Sequence, residues 1–359
     1  MRLTTGPLWC VSALAAGIVL ALVTVAAAPR AGHVDSPREA VACVRCHSEA
    51  RSSPSMYAAL ETVEECKLLM DHPVLTTTVG KYSYRIERAG SQSSYTVTDG
   101  AESLTLPIRW AMGASSSFGQ TYILEKDGLL YESRVSYFRE LNGLGPTLGS
   151  VGVTPASLLD AAGRFISRDE KLRCFGCHAT NTAVGRKLTL EQMIPGVQCS
   201  RCHEAVETHL AAIAQDNNEA EVPKALSKLD HLTAEDASNF CGQCHRTWAE
   251  IAAQPNPNIS NIRFQPYRLT GSKCYDTEDP RISCLACHDP HHEVSSKSVD
   301  YDSKCLACHG GGKREAKRCP VARKDCVTCH MPKLELPGAH YKFSDHRIRI
   351  VKAGEAYPG

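Results

Sequence analysis

Aromatic side chains are scarce in this chain: Phe, Trp and Tyr make up only 6% of its 359 residues. They normally supply much of a core's volume, so something else must fill this interior. A surplus of either charge is also missing. Lys and Arg number 40, Asp and Glu 39, and the formal net charge is +1. No basic patch marks a nucleic-acid partner, and none is expected. Low-complexity and coiled-coil segments are absent. No C-x-x-C pair stands anywhere without a His directly after it.

What the chain does have is cysteine, 18 residues of it. Fourteen fall into seven C-x-x-C-H runs: Cys43, Cys46, His47; Cys174, Cys177, His178; Cys199, Cys202, His203; Cys241, Cys244, His245; Cys284, Cys287, His288; Cys305, Cys308, His309; and Cys326, Cys329, His330. This spacing is the haem c attachment signature. Two thiols add across the two vinyl groups of one porphyrin, and the following imidazole meets the iron as proximal ligand. Seven runs predict seven haem c groups. A thioredoxin-like dithiol needs one pair on a βαβ scaffold. Structural zinc needs four ligands per site, and each run offers three. Disulfides closing such tiny loops would staple nothing.

The N-terminus predicts export. Arg2 precedes an uncharged apolar stretch from Leu8 to Ala28, and Val25-Ala26-Ala27-Ala28 offers a cleavage site before Pro29. The same 21 residues would also suffice as an uncleaved membrane anchor. Either way the rest of the chain is expected in the periplasm or another extracytoplasmic space, and Cys10 is expected to leave with a cleaved signal. Ionised propionates on seven ferric haems would bring the holoprotein to a charge of roughly −6.

The runs divide the chain. Residues 1–28 are read as signal or anchor, 29–79 as a first haem segment, 80–145 as a β-rich insertion, and 146–359 as a six-haem helical domain. The block from Cys174 to His330 spends about 26 residues per haem, too few for a conventional core. Porphyrins would then form most of its interior. In the insertion Tyr82, Tyr84 and Ile86 alternate, as do Leu104, Leu106 and Ile108, with Asp99-Gly100 and Asp127-Gly128 as turn signals. Helices are expected over 204–214 and 234–253. The fold class expected is a mainly α multihaem cytochrome c with many irregular loops, plus a small antiparallel β insertion between the first and second haem.

Eight other His remain: His33, His72, His209, His231, His291, His292, His340 and His346. Each iron has a sixth position that imidazole suits. Proximal and distal rings approach from opposite faces of a rigid disc. His291 follows His288 too closely for the chain to wrap the porphyrin between them, and His209 stands six residues after His203 on an expected helix. Such His belong to neighbouring haems, which interlocks adjacent groups. The distal candidates are His72, His209, His291, His340 and His346, with His231 and His292 completing seven. His33 sits in a terminal stretch and is set aside.

Several longer strings resemble one family, the multihaem cytochromes related to the tetrahaem electron acceptor of hydroxylamine oxidoreductase (the c five-five-four group). They are Gly196-Val197-Gln198-Cys199-Ser200-Arg201-Cys202-His203 with His209 downstream, Cys287-His288-Asp289-Pro290-His291, Cys329-His330-Met331-Pro332-Lys333, and Phe343-Ser344-Asp345-His346-Arg347-Ile348. Trp110-Ala111-Met112-Gly113, Gly119-Gln120-Thr121-Tyr122 and Val135-Ser136-Tyr137-Phe138 add to the likeness. The resemblance implies electron transfer, with His72, His209, His291, His340 and His346 as distal ligands. This chain departs from the family in carrying Glu204-Ala205-Val206 after His203, where a Gly-Pro-Gly stretch is usual, and in its higher haem count. Outside the runs, Cys66, Cys274 and Cys319 are left in the mature chain. A Cys274–Cys319 disulfide is expected, with Cys66 buried.

Two functions are compared on this basis. The first is electron transfer along mostly bis-histidine haems, between a quinol-oxidising membrane complex or a terminal reductase and another redox protein. The second is reduction or oxidation of a small nitrogen or sulfur compound at one five-coordinate haem. Catalysis needs an open iron with acid–base groups nearby, and no C-x-x-C-K run of the nitrite-reductase kind is present. The supply of His favours transfer.

Overall fold

The structure is a computed structural model that describes residues 43, 47, 53–114, 118–184, 187–203, 206, 209, 229, 231–254, 258–310 and 318–352. The expected signal or anchor, Cys10, His33, Cys46 and most of the helix expected over 204–214 lie outside the described residues. The chain divides into Met1–Ser36, outside that range, and Pro37–Gly359, to which everything below belongs.

Ten strands build an antiparallel sheet: β1 (Leu60–Thr62), β2 (Val74–Val79), β3 (Tyr82–Ala89), β4 (Gln92–Thr98), β5 (Ser103–Met112), β6 (Gly119–Lys126), β7 (Leu129–Ser133), β8 (Val135–Phe138), β9 (Gly143–Pro146) and β10 (Gly163–Phe165). The main path runs β10-β7-β6-β5-β4-β3-β2, β1 pairs with β5, and β8 pairs with β6 and β9. Period-two patterning drives it. Tyr82, Tyr84 and Ile86 of β3 are buried while Ser83, Arg85 and Glu87 face out. Asp127 (φ 51°) and Gly128 (φ 73°) make the tight turn between β6 and β7, with both residues in the left-handed region that such hairpins require. A register shift between Ile108 and Trp110 divides β5. Its first half pairs with β4, and from Trp110 onward β1 takes over that role.

One face closes over a core that includes Tyr84, Ile86, Tyr95, Val97, Ile108, Tyr122 and Leu124, capped by residues of the short helices Lys67–Asp71 and Leu158–Ala162. A second cluster joins Leu60, Ile123, Leu130 and Ile166 to Phe175, which lies beyond the sheet. Cys66 is wholly buried in the first core; its thiol donates to Gln120 Oε1 at 3.2 Å, and burial pushes its pKa up to about 12.

This sheet overturns the expectation of a mainly α protein with a small β insertion. The sheet is large, curled and ten-stranded. The strands that sequence patterning overlooked are short or weakly alternating. In Val74–Val79 only Leu75 is buried, and Leu60–Thr62 and Gly163–Phe165 have three residues each. Such segments are strands because longer neighbours offer them a ladder, which is a tertiary effect.

The remaining chain is built of short capped helices and turns. They include Arg168–His178, Ala234–His245, Trp248–Ala252, Gln265–Thr270, Cys284–Cys287, Asp302–His309 and Cys326–His330. Ser167 and Glu170 form a reciprocal capping box at the start of the first. The helix expected over 234–253 breaks at Arg246, which takes a φ of 69°, and Thr247 caps a new helix. After Ala179 the buried apolar residues among those described are Val197, Val206, Ala234, Ala237, Ile251, Ile262, Leu269, Leu336 and Ala339. That is a sparse interior beside the sheet's. No described helix is long and apolar enough to cross a membrane.

Candidate metal centre

Each described run sits on a helical turn. His47, His203 and His288 donate their backbone N–H to Cys43, Cys199 and Cys284 at 2.9, 2.9 and 2.8 Å. One turn puts positions i and i+3 on the same face, so the two thiols point together with the imidazole one residue on. All the described cysteines are free, so no C-x-x-C pair among the described residues is bridged. Cys274 and Cys319 are free as well, which corrects the expected disulfide.

The imidazoles are set up to ligate. His178 Nδ1 donates to the carbonyl of Ala59 at 2.8 Å, His330 Nδ1 to that of Arg349 at 2.9 Å, and His346 Nδ1 to that of Ser344 at 3.0 Å. A carbonyl can only accept, so these bonds place the proton on Nδ1 and leave the Nε2 lone pair available to a metal. His245 Nδ1 meets Gln265 Oε1 at 3.2 Å, and His291 Nδ1 meets Asp289 Oδ1 at 3.2 Å. Burial lowers the pKa of His178, His245 and His288, and takes His346 down to about 4. Neutral imidazole is the ligating form.

Three imidazole pairs face each other across the fold. Ring centroids are 6.2 Å apart for His47 and His209, 6.1 Å for His203 and His291, and 6.2 Å for His288 and His346. Two imidazoles bound on opposite sides of one metal, each through a bond of about 2 Å, place their centroids about 6 Å apart. The side chains therefore fit a haem iron held by the runs at 43–47, 199–203 and 284–288. The other candidates lie elsewhere. The His72 ring lies 6.0 Å from that of Tyr137, tilted by 33°, His340 lies 4.9 Å from Phe138 with a φ of 49°, and His292 is exposed with Nδ1 on Asp289. His231 lines an open cleft of about 420 Å³ with Cys202, Asp236 and Phe240. No ring contact joins these four to a proximal imidazole among the described residues. No group of three or more His, Cys, Asp and Glu gathers around one point among them either; a haem iron needs two side chains at most.

The runs themselves are neighbours. The thiols of Cys177 and Cys244 are close enough to perturb each other's ionisation, as are those of Cys241 and Cys284, and of Cys305 and Cys326, and Cys177 Sγ donates to the Gln243 carbonyl at 3.4 Å. Arg201 Nη2 donates to Gly176 O at 3.0 Å, tying the 199–203 run to the 174–178 run. The Asp302 carboxylate accepts from the backbone N–H groups of Asp325 and Cys326 at 2.7 and 2.9 Å. Phe175, inside the 174–178 run, is wholly buried with its ring 5.2 Å from Trp110 of β5. This fixes one end of the series to the sheet.

Sequence reasoning missed the residues that hold the ligands. Asp345 is fully buried and accepts from Arg268 Nε at 2.8 Å, Arg268 Nη2 at 3.0 Å and Arg349 Nη1 at 2.7 Å. It directly precedes His346, and Arg349 supplies the carbonyl that orients His330. The only sequence signal was its place in the Ser344-Asp345-His346-Arg347 string.

These paired imidazoles have the spacing that two axial ligands of one metal-bound porphyrin would need. Comparison with known families narrows this. The family model described as "Cytochrome c554 and c-prime" matches residues 157–204, a segment holding two of the seven runs. The match supports a cytochrome of the c type, with haem c as cofactor and electron transfer as its role. No curated protein and no solved structure matches the chain.

Proposed function

We propose that the protein is an extracytoplasmic cytochrome with seven haem c groups that carries electrons between redox partner proteins. The observation that supports this most is the repeated pairing of imidazoles 6.1–6.2 Å apart from runs distant in sequence. Haem c supplies reversible one-electron iron chemistry when bound. The chain's part is to hold seven such groups in a fixed series. Cys pairs tether each group, proximal His residues ligate it, and His209, His291 and His346 cap three of them from neighbouring segments. His72, His340, His231 and His292 remain the candidates for the other positions. Contacts between successive runs keep the groups close, which electron transfer requires. The partners proposed are a quinol-oxidising membrane complex or a terminal reductase, and the apolar stretch from Leu8 to Ala28 exports the chain or anchors it to the inner membrane.

The test is made on mature protein. Intact mass should exceed the polypeptide by seven haem units, and the reduced protein should bind no carbon monoxide at neutral pH. Six or fewer haems would sink the count. A native high-spin signal with turnover of nitrite or hydroxylamine would replace electron transfer with catalysis.

A further inference from the structure

A half-buried cation, its Nε fully buried and without an acceptor among the described residues, lies beside the run Cys241–His245. The turn Ile259–Arg263 leads into Gln265, whose side chain meets His245 Nδ1, so this segment stands on the proximal side of that run. Two of its donors are buried with no acceptor among the described residues, Arg263 Nε and Asn261 Nδ2. Asn261 is only 2% exposed. The Arg263 guanidinium lies 5.2 Å from the Phe264 ring, and the charge nearest in effect is Arg246, of like sign. Burial and Arg246 together lower its pKa. Arg246, the residue directly after His245, is itself paired with Glu250.

An ionised group taken out of water demands a counter-charge. Arginine cannot shed its proton to escape this demand. No carboxylate side chain answers Arg263 among the described residues. Its planar fork matches a carboxylate, and the Asn261 amide adds a neutral donor from the same turn. The nearest carboxylates that the chain would acquire are the propionates of a haem tethered at Cys241 and Cys244. We infer that Arg263, with Asn261 beside it, binds a carboxylate of the haem held by Cys241–His245 and raises that haem's reduction potential. The inference rests on the proposed haem content. A solution carboxylate or phosphate has the same chemistry and is the competing source.

The experiment is a spectroelectrochemical titration of the full-length holoprotein and its Arg263→Gln, Arg263→Lys and Asn261→Ala variants, with haem number read by mass on the same samples. Removing the cation leaves the carboxylate's charge uncompensated and favours ferric iron. In Arg263→Gln the equilibrium constant for reducing one haem should fall about tenfold, the effect of one charge acting through a dielectric near 20. Arg263→Lys should retain most of the wild-type value, and Asn261→Ala should shift the same haem less. Seven unchanged midpoints in Arg263→Gln would overturn the inference, as would a uniform shift of all of them. A wild-type midpoint that rises when acetate and phosphate are removed would assign the site to a solution anion, because the Arg263 charge would then stand uncompensated. Fewer than seven haems in the wild type would instead count against the proposed haem content.

Discussion

Replacing Asp345 with Ala should release a distal ligand from a distance of one residue. Asp345 accepts three side-chain bonds from Arg268 and Arg349 and a fourth from the Arg347 backbone N–H at 3.1 Å. Burial alone would raise its pKa, but Arg268, the Arg347 amide and Arg349 outweigh that and hold the carboxyl below its ordinary value. In the variant, Arg268, whose side chain is 2% exposed, loses both bonds to its carboxylate. Leaving a buried charge uncompensated costs about 3–5 kcal/mol. Spread over the local opening of the tail, that is a shift of roughly two to four orders of magnitude. His346 travels with the tail, so one haem should turn high-spin and bind carbon monoxide while the others stay low-spin. The assay is low-temperature EPR with a carbon monoxide difference spectrum, at rising guanidinium. The double variant Asp345→Leu, Arg268→Met removes both charges and should recover much of the loss, because apolar replacement of a whole buried pair is often neutral or better. If the single variant keeps a wild-type spectrum and denaturation midpoint, or the double variant is no better than the single, the argument from an uncompensated charge is wrong.

Three further outcomes are expected. Phe175→Ala should lose about 3–5 kcal/mol, as for other buried aromatic truncations, seen as a lower urea midpoint at unchanged haem number; an unchanged midpoint would mean that the 174–178 run does not depend on the sheet. Glu170 has its pKa lowered from 4.5 to about 2 by the Ser167 hydroxyl and amide and by Arg164; its stabilisation is therefore present above about pH 4.5 and is lost as pH falls towards 2, and urea midpoints across that window should fall less steeply in Glu170→Gln than in the wild type. His291→Ala should convert one haem to high-spin, since His291 faces the proximal imidazole of His203; an EPR spectrum that stays low-spin throughout would reassign that position.

The C-x-x-C-H runs stand out in the sequence because the haem-attachment signature sets cysteine and histidine at one spacing whatever the fold around them. The middle of the sheet was legible for a similar reason: Tyr82, Tyr84 and Ile86 must alternate if one face is buried. Its extent was not. Leu60–Thr62 and Val74–Val79 precede the stretch where alternation is strong, and they are strands only because β5 and β3 pair with them. The partners of the distal imidazoles were legible only by exclusion. Rigid-disc geometry says which His cannot share an iron, but nothing local says that His47 meets His209 or that His288 meets His346. The Arg268–Asp345 bond spans 77 residues, and neither residue stands out in a chain with 40 basic and 39 acidic side chains.

The burial of Phe175 bears on how the molecule matures. Phe175 lies between Cys174 and Cys177, the two thiols that must be presented to an attaching enzyme, yet its ring is sealed against Leu60, Ile123, Leu130 and Ile166. Docked this way, the turn leaves Cys174 and Cys177 only partly exposed. The sheet core is lined by the chain's own side chains, so if this run carries a haem as proposed, thioether formation there would compete with the folding of residues 60–166. Antiparallel sheets with long-range pairings close slowly, on a scale of about milliseconds to seconds, and here slowness is useful. A substitution that speeds closure of the sheet, however stabilising, would shorten the time in which Cys174 and Cys177 can be modified, and would yield a well-folded protein that lacks one haem.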